Sequence, residues 1–231
     1  MNLKSLLKNC FKNFFRYSHK YSKIISRNNI TKYILRDLKE LEKNNKMFDA
    51  LFVGSGGALE RLIKENFRCN LITIDVDIKR KPNYVMSVAD MHFKNNKFDV
   101  IFIYEVLEHV DKPFEASNEL FRVLKPGGTL LLSTPFIFGI HDGPYDYWRF
   151  TKYGLKNLFY KFREIEIKER SGFFLTISKL LVRLIICESY FHKLLGCIFS
   201  ILFIFLLPLL NFIDNFLPNS ISSGYYLKAK K

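Results

Sequence analysis

Cysteine is scarce in this chain of 231 residues: Cys10, Cys69, Cys187 and Cys197 stand far apart, with no Cys-x-x-Cys pair and no nearby histidine at ligand spacing. That scatter excludes a disulfide framework, argues against a zinc site and fits a reducing compartment. No metal is expected from it. Acid is missing altogether from Met1 to Arg36, a stretch that holds nine Lys and Arg residues. Over the whole chain 22 Asp and Glu face 36 Lys and Arg, a net charge of +14 that calls for a partner or an explanation. Nucleic acid would be one such partner, but the basic residues lack the aromatic interleaving of RNA-binding sheets, so none is expected. Charge is missing again from Leu194 to Ile213, an apolar run long enough to span a bilayer. No apolar secretory core follows the basic N-terminus, which excludes a secretory signal; an acid-free organellar transit peptide stays open. The length allows one domain, or one domain with an appendage.

What is present is organised around Leu51-Phe-Val-Gly54-Ser55-Gly56-Gly57-Ala-Leu59-Glu60. An apolar run of strand character meets a glycine turn, and a helix-compatible run follows. Strand, tight turn and helix put bare backbone N–H groups against a ligand, and side chains at the glycines would hold that ligand away. About twenty residues on, Leu71-Ile-Thr-Ile74 ends in Asp75, whose carboxylate can accept both hydroxyls of an adenosine ribose. A dinucleotide loop wants a small residue where Leu59 stands, so that a pyrophosphate can sit on the helix N-terminus. S-adenosylmethionine has no phosphate and needs only the looser Gly54-x-Gly56.

Two further stretches agree. Ser87-Val-Ala-Asp90-Met91-His-Phe93 lies where a third strand should end, and Asp90 there can accept from an adenine amino group. Phe98-Asp-Val-Ile-Phe-Ile103 reads as a fourth strand, followed by Tyr104-Glu-Val-Leu-Glu108-His109-Val110. Leu120 to Pro135 then holds a helix end, a Pro-Gly-Gly turn and a fifth strand. In order and spacing, Met47 to Thr151 resembles the class I S-adenosylmethionine-dependent methyltransferases. It is closest to the type 11-like branch, whose members read "FDV…EVLEHV…RVLKPGG". The segment His141-x-x-Pro-x-Asp146-Tyr-x-Arg149-Phe-Thr151 recurs in the same branch. The resemblance implies a Rossmann-like α/β fold, a seven-stranded, mostly parallel sheet with helices on both faces. It also implies S-adenosylmethionine as cofactor, held by Gly54, Ser55, Gly56, Asp75, Asp90, Met91 and Tyr104.

Strands are expected at about 48–53, 71–75, 83–86, 98–103, 128–134 and 163–168, with helices at about 57–66, 113–124 and 152–160. Ligands in open α/β sheets lie beyond the carboxyl ends of the strands, so the loop after the fifth strand covers the cofactor. That loop carries His141, Asp142, Tyr145, Asp146, Trp148 and Arg149. A hydroxyl acceptor needs a base, and His141 is the first candidate and His109 the second. Asp146 would orient a histidine or hold a substrate hydroxyl. The bland alternatives are a His109 that orders its own loop beside Glu108, and an Arg149 that pairs with a carboxylate while Trp148 packs.

The periphery points to a membrane. Lys4, Lys8, Lys12, Arg16 and Lys20 recur every fourth residue, with Leu3, Leu6, Leu7, Cys10, Phe14 and Tyr17 at helical spacing on the other side. Such a helix lies on an anionic membrane surface, or else caps the sheet with a solvated basic face. Phe173 to Ile186 reads as a helix, the uncharged run follows, and Gly224 to Lys231 reads as the seventh strand. A tail that returns to the sheet keeps both ends of the apolar insert on one side, so the insert has to be a hairpin or an interfacial pair, with a bend at Pro208. Four segments result: a basic helical 1–46, a methyltransferase core 47–172, an apolar insert 173–217 and a last strand in 218–231. The expectation is a cytoplasmic, peripheral or monotopic O-methyltransferase acting on a small-molecule or lipid-linked acceptor (a lipid-linked sugar, a glycan or a quinone-type molecule). The alternative is a non-catalytic, membrane-associated module of the same fold.

Overall fold

The structure, a computed structural model, describes residues 3–43, 47–187, 189–217 and 221–231; side chains of 3–12, 19, 22–24 and 26–28 are outside that set. The elements run α1 (Leu3–Glu42), β1 (Phe48–Val53), α2 (Gly57–Asn66), β2 (Cys69–Asp75), β3 (Tyr84–Val85), β4 (Phe98–Tyr104), α3 (Pro113–Val123), β5 (Leu124–Pro135), α4 (Lys152–Leu158), β6 (Arg163–Glu169), α5 (Phe173–Val182), α6 (Tyr190–Asp214) and β7 (Gly224–Lys230). The chain divides into two compact units: Met1–Asn29 with Ile137–Gly139 and Ser171–Ser223, and Ile30–Phe136 with Ile140–Arg170 and Gly224–Lys231.

The larger unit is a seven-stranded sheet in the order β3-β2-β1-β4-β5-β7-β6. β7 runs antiparallel to both β5 and β6, and the other pairings are parallel. This is the Rossmann-like arrangement that the alternation of strand and helix predicts. Period-2 alternation splits the sheet's side chains. Phe48, Ala50 and Phe52 of β1 and Val100, Phe102 and Tyr104 of β4 share one core with Ile30, Ile34 and Leu38 of α1 and Ile63 of α2. Leu51, Val53, Ile101 and Ile103 face the other core, closed by Ala116 and Leu120 of α3 and Leu155 and Leu158 of α4.

Three boundaries differ from the sequence reading. The Pro126-Gly-Gly turn is absorbed into β5, whose register on β4 shifts between Phe98 and Val100. The helix expected to reach Ile186 ends at Val182 and tightens into a 3-10 turn over Arg183–Ile186. The segment expected as a separate 1–46 is divided, because Ile30, Ile34 and Leu38 pack into the sheet's core. Thr151 caps α4 as its side chain predicts, accepting from the Gly154 N–H at 3.0 Å.

In the smaller unit α5 and α6 form a closed hairpin. Asp214, at the end of α6, returns to the start of α5 and accepts from the N–H groups of Phe174 and Leu175 at 2.9 and 3.0 Å. A carboxylate from one helix thus caps the other. At the far end a Cβ on Gly196 would lie 2.1 Å from the Ile185 nitrogen, so only glycine permits the approach. α6 continues as one helix through Pro208. It is long and apolar enough to cross a membrane by length and composition. On α1, Arg16, Lys20 and Tyr17 are exposed and Phe14 is half-buried. The side chains of Leu3, Lys4, Leu6, Leu7, Lys8, Cys10 and Lys12, on which the amphipathic pattern also rests, are outside the described set.

Candidate active site

β1 delivers the chain to Gly54, whose N–H donates to the Ile74 carbonyl at 2.9 Å and so ties the loop to β2. Gly54 has φ +88°, and a Cβ there would stand 2.3 Å from Val106 Cγ2. The turn after β4 therefore lies directly against the glycine loop. Gly56, at φ +89°, has nothing within 4 Å of an added Cβ, so the loop offers open backbone to a ligand.

The N-terminus of α2 is already served. The Glu60 carboxylate accepts from the Gly56 N–H and from the Ser55 hydroxyl, and pairs with Lys64. Burial alone would raise the Glu60 pKa, but the bonds from Lys64 and Gly56 prevail and hold it below the usual range. A pyrophosphate would have to displace this built-in anion. That adds a structural reason to the bulk of Leu59 for excluding a dinucleotide.

Asp75 ends β2 with its Oδ1 accepting from the Asp77 N–H at 2.8 Å and its Oδ2 3.8 Å from Arg80 Nε. Gly54, Ser55, Gly56 and Asp75 are thus gathered at the carboxyl ends of β1 and β2. Asp90 sits on the loop after β3 with its side chain 85% exposed. Met91 instead buries its side chain in the α3 core, its N–H donating to Glu119 Oε2 at 2.8 Å. Tyr104 turns its ring into the α1 core, stacked on Tyr226 at 6.4 Å, because strand alternation sends residue 104 to the same face as Val100 and Phe102. The aromatic ring is a core group.

Glu105 takes φ +56° where β4 ends, a conformation L residues rarely adopt. Its carboxylate is held by Arg170 Nη1 at 2.8 and 2.9 Å and by the Ser133 hydroxyl at 2.7 Å. Burial would raise its pKa, but Arg170 and Ser133 outweigh it and keep it lowered. One turn further on, Glu108 is fully buried and its Oε1 has no hydrogen-bond partner. Burial pushes its pKa up.

Around that oxygen the two histidines converge. His141 Nε2 is 3.7 Å and His109 Nε2 3.9 Å from Glu108 Oε1, and the rings meet edge to face at 4.9 Å. Each imidazole is gripped at its other nitrogen. His109 Nδ1 lies 2.8 Å from the Tyr145 carbonyl, and His141 Nδ1 3.4 Å from Asp146 Oδ2. Asp146 also accepts from the His141 N–H at 2.9 Å, and two Arg149 nitrogens grip it at 2.6 and 2.7 Å. Those guanidinium bonds hold its carboxyl well below the usual carboxylate range. The covering loop is pinned from below: Tyr147 and Trp148 N–H groups donate to the Glu108 carbonyl at 2.9 and 3.1 Å, and Trp148 Nε1 donates to the Val110 carbonyl at 2.8 Å. His141, His109 and Asp146 are thus brought together. Arg149 and Trp148 act as the bland alternative has it, one pairing with a carboxylate and the other packing on Phe150 at 5.9 Å.

Sequence reasoning did not single out Glu108, which both histidines approach, or the Glu105–Arg170 pair. The one available signal was two glutamates and a histidine in a five-residue stretch that follows a strand. A cavity of about 620 Å³ lies elsewhere, lined by Tyr84, Met86 and residues 92–97, at the amino-terminal end of β4.

Residues 51–132 match the family described as a methyltransferase domain. The chain carries a class I S-adenosylmethionine-dependent methyltransferase domain. The methyltransferase domain is similar to a mitochondrial ubiquinone biosynthesis O-methyltransferase of Candida albicans, 28% identical over 109 residues that cover 39% of this chain and 33% of that protein. It is also similar to a tRNA U34 carboxymethyltransferase of Helicobacter pylori, 44% identical over 62 residues, 26% of this chain and 22% of the other. The match thus spans a third or less of these relatives. Among solved structures, a SAM-dependent methyltransferase from Archaeoglobus fulgidus superposes with a TM-score of 0.55 at 17% identity, covering 90% of this chain and 98% of that one. That likeness is one of fold, and it extends well beyond the matched 51–132.

Proposed function

We propose that this protein is an S-adenosylmethionine-dependent methyltransferase that methylates an oxygen of a small-molecule or lipid-linked acceptor at a membrane surface. The acceptor class is a lipid-linked sugar, a glycan or a quinone-type molecule. The observation that carries the catalytic part is the Glu108–His109–His141 cluster, with its carboxylate buried and Asp146 bracing His141, beside an open glycine cradle. A non-catalytic module would have no use for two imidazoles each fixed at one nitrogen and aimed at one point.

The residues present fit the cofactor. Gly56 leaves open space beside the loop for the methionine part, Asp75 offers a carboxylate to the ribose, and Asp90 offers one to the adenine amino group. When bound, S-adenosylmethionine supplies an electrophilic methyl on a sulfonium, ready for in-line displacement with loss of charge. The chain's residues hold the acceptor in line and keep water out, which is where the rate gain of such a transfer arises. An acceptor hydroxyl must also lose its proton. His141, oriented by Asp146, and His109, oriented by the Tyr145 carbonyl, present their Nε2 atoms for that task.

The membrane part rests on the hairpin. Ile198, Leu202, Phe205, Leu209 and Phe212 are exposed at spacings of three and four, one apolar stripe along α6. Asp214 brings the end of α6 back to the start of α5, so the hairpin enters and leaves on one side. That arrangement favours a monotopic protein over one with a single crossing. Lysines at both termini agree with a cytoplasmic location.

Calorimetric titration of the detergent-purified protein with S-adenosylmethionine and with NAD tests the cofactor assignment. Micromolar-range binding of the first alone is expected, with Asp75→Ala weakening it about 10- to 100-fold through loss of charge-assisted bonds. Absence of S-adenosylmethionine binding by folded protein would overturn the enzyme reading. Labelled methyl transfer into membrane lipid extracts then tests the acceptor class, and transfer only into water-soluble or RNA fractions would discard it.

A further inference from the structure

Glu108 lies in the short 3-10 turn after β4. Its carboxylate is fully buried, and Thr134 approaches Oε2 only at 3.4 Å. Oε1 has no hydrogen-bond donor, although two imidazole nitrogens face it at 3.7 and 3.9 Å. A buried anion needs a partner of opposite charge to offset its desolvation. Glu105, next along, is already engaged by Arg170 and Ser133. Asp146, below His141, is engaged by Arg149.

We infer that Glu108, His109 and His141 form a metal site that takes one divalent first-row transition ion through Glu108 Oε1 and the two Nε2 atoms. One ligand atom from each of the three residues lies within 4.8 Å of the others. An ion with bonds of about 2.1 Å keeps its ligand atoms roughly 3.0–3.4 Å apart, so the two Glu–His gaps close by about 0.5 Å. The outer contacts are those that metal-bound histidines use. A carbonyl fixes His109 at Nδ1, and the Asp146 carboxylate fixes His141 at Nδ1. Each leaves Nε2 as the lone-pair nitrogen.

Two imidazoles and one carboxylate make a borderline donor set. It suits zinc, iron(II), manganese or cobalt, and suits magnesium or calcium less, since those take oxygen shells. Three protein ligands leave coordination positions open, the mark of a site that also receives substrate. The site abuts the glycine loop, because Val106 touches Gly54 while residues 108 and 109 follow it. An acceptor hydroxyl on the ion would ionise near neutral pH and release its proton to water, which replaces the imidazole base with a Lewis acid. Metal binding stands on the cluster alone. Only this catalytic consequence rests on the methyltransferase reading.

The test uses the untagged full chain in detergent, stripped with chelator and titrated with Co²⁺. One equivalent is expected to develop visible d–d bands, and Zn²⁺ is expected to displace it. Glu108→Gln keeps the side chain's shape but removes the anionic ligand, and should weaken Co²⁺ binding at least about 100-fold. Asp146→Asn acts through His141 and should weaken it about 10- to 100-fold. Circular dichroism and melting establish that each variant is folded. If Glu108→Gln does not fold, His109→Gln, on the half-exposed histidine, must show the same loss. No d–d bands in the wild type, or equal Co²⁺ affinity in the folded variants, would overturn the site. S-adenosylmethionine binding without metal binding removes this inference and leaves the enzyme reading standing. Metal binding without S-adenosylmethionine binding does the reverse.

Discussion

A protein with Phe205, Leu209 and Phe212 all changed to serine is expected to leave the membrane fraction and stay folded. These side chains are 80%, 53% and 60% exposed, so the fold loses little when they shrink. In a lipid interface each would bury apolar area worth about 1.5–3 kcal/mol. The three together amount to about 5 kcal/mol, roughly a thousandfold or more in partitioning. Flotation with neutral and with anionic vesicles, alongside a melting curve, measures both halves of the expectation. Salt should release little wild-type protein, since apolar burial is not screened as surface charge is. A wild type that remains monodisperse without detergent, or a triple variant that floats as well as the wild type, would remove the membrane from the account. A detergent-free dimer lost in the triple variant would instead assign the stripe to a second copy of the chain.

Glu105→Ala should lower stability by about 3 kcal/mol, a fall of roughly 6–12 °C in Tm for a chain of this size. The buried partner is Arg170, at 4% exposure, while the Glu105 side chain keeps 28%. Removing the carboxylate takes two bonds from a buried guanidinium and an acceptor from the buried Ser133 hydroxyl. The partial exposure of Glu105 places the effect at the lower end of the range for broken buried pairs. The double variant Glu105→Ala/Arg170→Met should recover at least half of the loss, because both charges then go together. The pH dependence has a definite sign. Glu105 is ionised with a lowered pKa in the folded state, so its contribution is present above the ordinary glutamate pKa and fades as pH falls through the folded value. Wild type and Glu105→Ala should therefore converge in stability toward acid. Parallel melting curves from neutral to strongly acid pH, with no convergence, would show that the pair contributes nothing. Cofactor affinity in the rescued double variant further separates a structural role from a disturbed site.

Much of this protein is legible in its sequence because the signals are local. Apolar runs mark β1, β2 and β4, the glycines mark the turn after β1, and Thr151 marks the start of α4 within three residues of chain. The order of those signals suffices for a mostly parallel sheet, since each crossover needs a helix between strands. The carboxylate at the tip of β2 and the density of polar groups after β5 are also local, which is why Asp75, His141 and Asp146 can be singled out. What required the tertiary structure is every contact between segments distant in the chain. Only folding brings His141 to Glu108 and leaves the Oε1 of that carboxylate without a donor. Strand phase decides that the Tyr104 ring enters the core while Glu105, one residue later, reaches Arg170. The Glu60 carboxylate closes the N-terminus of α2, and Asp214 closes the hairpin by capping a helix forty residues earlier. Sequence periodicity names the face a residue occupies. What it meets there depends on packing among elements that the chain has still to bring together.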